Sequence, residues 1–171
     1  SNLNETKREN QIYIMDKDGK NYRQYTSGNK SSWTPQWSND GKNILFMSNR
    51  EQGNQLWSMP LNGGEAKQLT SWTNGISGVQ LSPNGKFIIF TSEVYPEIGA
   101  DDKANQQTAK SVAQGPAKAY MADKLLYRHW NFWKNGRRNH VMLLNLETNE
   151  VKDITPGDWD SPPFMLGGGS Y

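Results

Sequence analysis

Two carboxylates and one guanidinium are the side chains of this sequence that best suit binding of a charged small molecule. Glu93 and Glu97 flank the tripeptide 94–96, and Arg128 lies in an aromatic-rich segment further along the chain. A carboxylate can hold an ammonium group, since an ionised hydrogen-bonded pair is stronger than a neutral contact. A guanidinium can hold a carbonyl oxygen or stack on an aromatic ring. The plainer alternative is that both glutamates are solvated loop residues.

Cysteine and histidine, the other chemically active residue types, suggest no catalytic or metal-binding site in this sequence. The chain has no cysteine and only two histidines, so thiolate chemistry and disulfides are excluded. His129 has no acid, base or nucleophile close to it in sequence, and His140, which precedes a predicted strand, is expected to face solvent. Neither histidine has the spacing of a metal-binding pair. We therefore expect no catalytic residue, no metal site and no cofactor.

An internal repeat identifies the elements that must position these side chains. Residues 11–15 return as residues 55–59, and residues 36–42 return as residues 80–86, both at an offset of 44. A period of about 40–45 residues is typical of a four-stranded propeller blade. Because one blade cannot bury its own faces, the repeat predicts a fold that is built by stacking blades.

The predicted fold class is all-β, a partial propeller of about three four-stranded antiparallel blades with a short helical insertion. Blade repeats are expected at 10–33, 34–76 and 77–160, with the start of a further blade at 161–171, and residues 1–9 are expected to form a disordered or tag-derived tail. Closed propellers contain about four to eight blades. The chain is therefore expected to be an incomplete propeller, whose open blade edges could self-associate.

The third repeat is interrupted. The pattern of residues 12–15 returns at 141–144, an offset of 129 that suits either a compact extra blade or an insertion of 41 residues. The insertion, at 93–139, is preferred because no second Ser-Pro-Asn-Gly type of turn occurs there.

Within the insertion, the sequence predicts three elements. Residues 101–113 favour a helix that is capped by an Asp pair and broken at Gly115-Pro116. A second short helix is predicted at 117–124 and a strand at 125–133.

The composition limits the classes of partner that this chain is expected to bind, and it indicates which residues fill the core. With 19 basic and 17 acidic side chains, the net charge is +2, and we expect no nucleic-acid partner. No apolar stretch approaches the ~20 residues of a membrane span, so we expect no membrane partner. Only 34% of residues are apolar, but there are 7 Trp. Four of these are predicted to fill the core between blades: Trp33, Trp37, Trp57 and Trp72.

Two resemblances follow from these segments. Residues 37–46 and 55–59 resemble the TolB-type propeller repeat, which is widespread and unspecific about function. Residues 92–96, 124–130 and 153–164 look like the propeller of dipeptidyl peptidases in the prolyl oligopeptidase family. The most similar subgroup is the bacterial type called dipeptidyl peptidase V or acylaminoacyl peptidase.

The second resemblance covers roughly residues 10–170 and implies a function. In that family a propeller caps an α/β-hydrolase domain, which carries a Ser-Asp-His triad. This chain has no Gly-x-Ser-x-Gly motif. The resemblance therefore implies a non-catalytic N-terminal fragment of a serine exopeptidase, inactive alone, that gates short peptides for a hydrolase domain and further blades outside this sequence.

The same resemblance gives roles to the three side chains. Glu93 or Glu97 would hold the free α-amino group of a peptide, and Arg128 would hold a substrate carbonyl. It also implies a periplasmic or secreted bacterial protein.

A TolB-type scaffold for protein–protein interaction explains the repeats equally well, but it does not explain the insertion. A sugar-acting enzyme ranks low, because it needs two positioned carboxylates and the acidic residues fall mostly in turns.

Overall fold

The computed structural model describes residues 8–115, 128–129 and 132–161, without the side chains of Arg128, His129 and Phe132. Most of the predicted tail, the predicted helix at 117–124 and residues 162–171 lie outside the described residues. The chain divides into two compact units, Ser1–Gly75 and Ile76–Tyr171.

Antiparallel sheets form both units. The strands are β1 (Tyr13–Ile14), β2 (Arg23–Gln24), β3 (Ser32–Trp37), β4 (Asn43–Ser48), β5 (Gln55–Pro60), β6 (Lys67–Gln68), β7 (Ser77–Leu81), β8 (Phe87–Val94), β9 (Arg128–His129), β10 (Phe132–Trp133), β11 (Arg138–Asn145) and β12 (Val151–Asp153), with one helix, α1 (Asp102–Gln114), among the described residues. We name β1–β2 and their flanking residues blade 1, the sheet β3-β4-β5-β6 blade 2, and the sheet β7-β8-β11-β12 blade 3. The two four-stranded sheets and the helix match the predicted class.

The first unit has a core between blades 1 and 2. Its buried members are Ile12 and Tyr25 from blade 1 and Ile44, Phe46, Trp57 and Met59 from blade 2. The Tyr25 hydroxyl lies 2.7 Å from the Met59 carbonyl oxygen and 2.9 Å from that of Pro60. Burial raises the pKa of the Tyr25 hydroxyl. Stacked faces of successive repeats thus bury apolar surface that neither blade could bury alone.

The prediction that four tryptophans fill this kind of core is wrong for one of them. Trp57 and Trp72 are buried, Trp33 is half-buried, and Trp37 is 58% exposed. Trp37 lies on β3, an edge strand of its sheet, so it has a neighbouring strand on one side only. It also follows a β-bulge, where the register of β3 with β4 shifts between Trp33 and Gln36. An extra residue in one strand breaks the alternation of side chains between the two faces.

The bulge recurs in blade 3, where the register of β7 with β8 shifts between Ser77 and Gln80. Gly78 has a φ of 58° in β7, and Thr34 has a φ of 45° at the equivalent place in β3. A β-branched residue rarely adopts positive φ, whereas glycine does so without a steric penalty. Backbone strain is therefore stored at Thr34 and absent at Gly78.

Replacing Thr34 by glycine is expected to raise the free energy of unfolding by about 1 kcal/mol. Relief of an unfavourable φ contributes about 1–3 kcal/mol, and the greater freedom of glycine in the unfolded chain removes about 0.5–1 kcal/mol of that gain. Urea denaturation measures the difference. Gly78→Thr is the matched control and should destabilise the protein; a Thr34→Gly variant less stable than the parent would show that the bulge is not strained.

Equivalent hairpin turns in blades 2 and 3 use the same hydrogen bonds. The Ser38 hydroxyl donates to Asp40 at 2.6 Å, and the Ser82 hydroxyl donates to Asn84 at 2.7 Å. Donation by the Ser38 hydroxyl, and then by the Lys42 backbone N–H, lowers the pKa of Asp40. An Asp or Asn oxygen serves equally here, because the turn needs only an acceptor at this position.

The insertion connects two neighbouring, hydrogen-bonded strands of blade 3. β8 pairs with β11 along eight residue pairs, from Phe87 opposite Asn145 to Val94 opposite Arg138, so residues 95–137 connect neighbouring strands. α1 begins after Asp101, whose side chain accepts from the Ala104 N–H at 3.0 Å, and it ends at Gly115. The predicted helical insertion is confirmed. At 13 residues, this helix of the described part is not long and apolar enough to cross a membrane.

The single strand predicted at 125–133 is wrong. Residues 128–129 and 132–133 instead form two strands that pair antiparallel, with His129 opposite Phe132 and Arg128 opposite Trp133. A hairpin pairs backbone groups that a lone strand would leave without hydrogen bonds.

Candidate functional site

The end of blade 3 from which the insertion leaves gathers most of the predicted site residues. Because β8 and β11 are antiparallel, the last residues of β8 lie opposite the first residues of β11. Glu93 is opposite Asn139, and the turn at Asn135-Gly136 comes just before β11. The sheet thus brings residues 93–97 next to residues 134–139.

Glu93 forms an ion pair with a residue that the sequence analysis did not single out. Its Oε2 lies 3.3 Å from Nη2 of Arg137, and the two side chains are 45% and 24% exposed. An ion pair that remains in contact with water contributes about 0–1 kcal/mol. A ligand that carries both an ammonium group and an oxygen acceptor can therefore replace this pair at small cost.

Tyr95 and Glu97 complete the group. Tyr95 is buried, 5% exposed, and Glu97 is exposed. The pKa of the Tyr95 hydroxyl is raised, first by burial and further by the negative charge of Glu97, while the positive charge of Arg137 opposes the rise. The phenol is therefore protonated at neutral pH and can donate a hydrogen bond. We name Glu93, Tyr95, Glu97 and Arg137 the insertion-base cluster.

A buried asparagine of α1 positions the segment that carries Tyr95. Asn105 has no solvent exposure, and its Oδ1 accepts from the Tyr95 N–H at 2.8 Å. Its Nδ2 donates to the carbonyl oxygens of Gly99 at 2.9 Å and Asp101 at 2.8 Å. One side chain thus ties the helix to both ends of the loop before it, and it holds the insertion-base cluster on the sheet.

Two further ion pairs flank the cluster. Lys134 Nζ lies 2.5 Å from Asp160 Oδ1, with side chains 16% and 13% exposed. Arg138 Nη2 lies 2.9 Å from Asp158 Oδ1. Asp160 also accepts from the Asn139 N–H at 2.9 Å, so this carboxylate links the turn before β11 to the strand itself. These contacts hold the 134–138 segment in place beside Glu93.

The prediction that His140 faces solvent is wrong. His140 is completely buried in β11, with Nδ1 2.6 Å from Asp153 Oδ2 and Nε2 2.9 Å from the Gly157 carbonyl oxygen. Each ring nitrogen thus lies within hydrogen-bond distance of a protein oxygen. Asp153 Oδ1 accepts from the Thr155 N–H at 3.0 Å. The histidine is a structural element of blade 3.

The internal repeat explains this burial. A side-chain nitrogen at the same repeat position meets a loop carbonyl oxygen in every blade: Gln11 to Gly28 at 3.2 Å, Gln55 to Trp72 at 2.6 Å and His140 to Gly157 at 2.9 Å. A hydroxyl accepts from the next backbone N–H each time, at 2.9 Å: Thr26 from Ile12, Thr70 from Leu56 and Thr155 from Val141. The offset of 129 places His140 at the position of Gln11, which is the signal that sequence reasoning missed.

The described structure does not test the role predicted for Arg128. Its backbone pairs with Trp133, and its side chain is not described, so its predicted contact with substrate stays a prediction. Arg137 is the guanidinium that the described structure places beside Glu93. The sequence analysis did not single it out, and the structure places it directly after the turn at Asn135-Gly136.

The described residues are equipped for binding. His140 is fully buried, and both of its ring nitrogens contact protein oxygens. Within residues 8–115, 128–129 and 132–161, no three His, Asp or Glu side chains gather as a metal site would require. The insertion-base cluster combines one carboxylate–guanidinium pair, one phenol and one free-standing carboxylate near the surface. Such a set can hold a small polar molecule that carries both charge signs.

Comparisons with known proteins agree with the blade repeat. The family described as TolB beta propeller domain matches residues 2–118. Solved structures of similar fold include TolB from Acinetobacter baumannii, at 18% identity and a TM-score of 0.53, and a protein assigned as TolB from Agrobacterium tumefaciens, at 22% and 0.54. Each alignment covers 85% of this chain, and they cover 26% and 40% of those chains respectively. A search of curated proteins finds no match.

Acylaminoacyl peptidase from Pyrococcus horikoshii is also similar in fold, at 18% identity and a TM-score of 0.56, over 85% of this chain and 20% of that one. The chain thus spans between a fifth and two-fifths of the length of these three structures. At such identities the likeness concerns the fold, and it confirms the predicted partial propeller and its resemblance to both propeller types. Since the family match extends over more than half of the sequence, this chain belongs to the TolB beta propeller domain family.

Proposed function

We propose that this chain is the substrate-gating propeller of a serine exopeptidase of the dipeptidyl or acylaminoacyl peptidase type. The catalytic triad would lie in a hydrolase domain outside this sequence, and the protein would work in the periplasm or be secreted. The observation that carries the proposal is the exposed Glu93–Arg137 pair at the base of a helical insertion, at 3.3 Å. The fold likeness to an acylaminoacyl peptidase supports the proposal.

The chemistry of a peptide end suits this pair. The α-ammonium of a peptide requires an anion at hydrogen-bond distance, and Glu93 supplies a carboxylate that is 45% exposed on its side chain. The first peptide carbonyl is an acceptor, which the Arg137 guanidinium can bind with its fork of donors. The ligand thus replaces one ion pair by two charge-assisted contacts. Glu97, which is exposed, borders the same place and would contact the remainder of the peptide.

Glu93→Gln in the full-length protein is expected to lower kcat/KM for dipeptidyl substrates with a free amino terminus by about 10–100-fold. A hydrogen bond to a charged group contributes about 1.5–3 kcal/mol, which corresponds to this range. N-acylated substrates have no ammonium and should be cleaved at the parent rate. Glu51→Gln, which changes an exposed loop carboxylate of blade 2, is the matched control and should leave both rates unchanged.

Two results would contradict the role of Glu93. One is an unchanged kcat/KM for free-amino substrates, and the other is an equal loss for N-acylated substrates. The isolated chain should hydrolyse neither substrate.

A protein-binding scaffold is the second candidate. The family match covers blades 1 and 2, the first two strands of blade 3 and the start of the insertion. Trp37 is 58% exposed on β3, where an aromatic side chain can contact a partner. The coding sequence after Tyr171 separates the two functions. A Gly-x-Ser-x-Gly motif within a strand–turn–helix favours the peptidase, and its absence favours the scaffold.

A further inference from the structure

The sequence contains four Asn-Gly pairs, and all four lie in the described part of the chain: Asn62-Gly63, Asn74-Gly75, Asn84-Gly85 and Asn135-Gly136. Asparagine is a thermolabile residue. It is most labile before glycine, because glycine has no Cβ that shields its backbone nitrogen. That nitrogen can attack the asparagine side chain when its N–H is not held in a hydrogen bond. The state of each glycine N–H therefore separates a labile pair from a protected one.

Three of the pairs are protected. In each, the glycine N–H donates to the carbonyl oxygen three residues before it: Gly63 to Pro60 at 3.0 Å, Gly75 to Trp72 at 3.0 Å and Gly85 to Ser82 at 2.9 Å. The Asn84 side chain is held as well, since its Oδ1 accepts from the Ser82 hydroxyl at 2.7 Å and from the Lys86 N–H at 3.0 Å. Attack by any of these glycine nitrogens must first break a backbone hydrogen bond.

The fourth pair lacks this protection. Asn135 and Gly136 are both exposed, and among the residues that the structure describes, neither the Gly136 N–H nor the Asn135 side chain has a hydrogen-bond partner. The pair forms the centre of a tight turn, with φ of 51° at Asn135 and 78° at Gly136. The Arg137 N–H closes the turn on the Lys134 carbonyl oxygen at 2.9 Å. Positive φ at both central residues is typical of a type I′ turn, whose closing hydrogen bond does not use the N–H of the second central residue.

We propose that Asn135 is a site of spontaneous deamidation, and that it reacts before the other three Asn-Gly pairs in the folded protein. The Gly136 backbone nitrogen loses its proton to solvent base and forms a bond to Cγ of Asn135. The bond from Cγ to Nδ2 breaks, and Nδ2 leaves as ammonia after taking a proton from water. Water then opens the cyclic imide at either carbonyl carbon, which gives aspartate or isoaspartate without oxidation or reduction. This inference stands apart from the peptidase proposal.

Deamidation at this position changes the insertion-base cluster. The position that a Cβ on Gly136 would occupy lies 3.9 Å from Cε1 of Tyr95, so the turn packs against that ring. Arg137, whose guanidinium lies 3.3 Å from Glu93, follows the turn directly. Either product adds a negative charge two residues before Arg137. Isoaspartate also routes the backbone through its Cβ, which lengthens the turn and weakens the hydrogen bond that closes it.

Peptide mapping by mass spectrometry, after incubation in mildly alkaline buffer, tests the proposal. Each Asn-Gly pair is followed in the folded protein and in guanidinium chloride, where the unfolded chain gives the intrinsic rate of that pair. Asn62 is the matched control, because it and Gly63 are exposed but the Gly63 N–H is engaged. The ratio of folded to unfolded rate should be about 2–10-fold higher at Asn135 than at Asn62, which is one hydrogen bond of about 0.5–1.5 kcal/mol converted at about 1.36 kcal/mol per tenfold. An equal or lower ratio at Asn135 would overturn the proposal.

Hydrogen exchange of the Arg137 amide tests the consequence for the cluster. This amide closes the turn, so it should exchange faster in the isoaspartate form, separated by ion exchange, than in the unmodified protein. Asn135→Asp adds the charge without lengthening the backbone, and it should keep the parental exchange rate. An isoaspartate form with parental exchange at Arg137 would show that the turn accommodates the longer backbone, and the effect on the insertion-base cluster would then be wrong.

Discussion

Replacing His140 by alanine is expected to lower the free energy of unfolding by about 2–4 kcal/mol, because each buried polar group left without its hydrogen-bond partner costs about 1–3 kcal/mol. His140 is fully buried and Asp153 is 8% exposed on its side chain, so the variant leaves a carboxylate oxygen without its donor. The Gly157 carbonyl oxygen loses its partner as well. Urea denaturation at neutral pH measures the loss.

The other two repeats provide a matched rescue. Where blade 3 has His140 and Asp153, blade 1 has Gln11 and Gln24, and blade 2 has Gln55 and Gln68. Gln24 and Gln68 each donate to the carbonyl of the threonine two residues later, at 2.7 Å. The double variant His140→Gln/Asp153→Gln should therefore recover most of the stability that the alanine variant loses. If the double variant were no more stable than His140→Ala, the three positions would not be equivalent.

Replacing Asn105 by alanine is expected to lower the free energy of unfolding by about 2–4 kcal/mol. The variant removes three hydrogen bonds at once and takes the side-chain partner from the Tyr95 N–H and the Gly99 carbonyl oxygen, whereas the Asp101 carbonyl oxygen still accepts from the backbone N–H of residue 105. Each buried polar group left unpaired costs about 1–3 kcal/mol, less what relaxation and water recover. The measurement combines urea denaturation with hydrogen exchange of the Tyr95 amide, which should accelerate.

Gln107→Ala is the control on the same helix, because Gln107 is exposed. It should leave the stability and the Tyr95 exchange rate unchanged. An Asn105→Ala variant with parental exchange at Tyr95 would mean that the loop before α1 is held by other contacts. The proposed attachment of the insertion-base cluster to the helix would then be wrong.

The elements that were predicted correctly depend on local chemistry. Asn39-Asp40-Gly41 and its counterpart at 83–85 are turns because Asp or Asn accepts local N–H groups and glycine takes the positive φ. The helix begins where Asp101 can accept a backbone N–H, and it ends at Gly115. Strands such as Asn43–Ser48 follow from continuous apolar runs. Each of these signals lies within a few residues and needs no distant contact.

The predictions that were wrong depend on contacts between residues that are far from each other in sequence or on neighbouring strands. Trp37 is exposed on β3, which the sheet places at its edge with a neighbouring strand on one side only. His140 is buried because Asp153 and Gly157, both more than ten residues away, surround its ring. Residues 128–129 and 132–133 form two strands because these short segments pair with each other. None of these partners can be identified from the neighbouring sequence alone.

In the candidate site, the sequence identified the two glutamates, and only the tertiary structure identified the partner of Glu93. Glu93 and Glu97 were selected because they flank the point where the repeat breaks, and the structure places both near Tyr95. Their roles in substrate binding remain predictions. The partner of Glu93 is Arg137, which reaches it only because β8 and β11 are neighbours across an insertion. The sequence analysis had singled out Arg128 as the guanidinium of the site, because it lies in an aromatic-rich segment.

By itself, the sequence determined the period, the blade as the unit of structure, the turns, the capped helix and the place where an insertion enters. Repeats carry that information because each blade must form the same hydrogen bonds within its own 44 residues or so. Only the tertiary structure decided which charged groups meet at the base of the insertion, and which ring and carboxylate are enclosed in blade 3. Those pairings join residues that are far apart in sequence, so they depend on strand register and on burial.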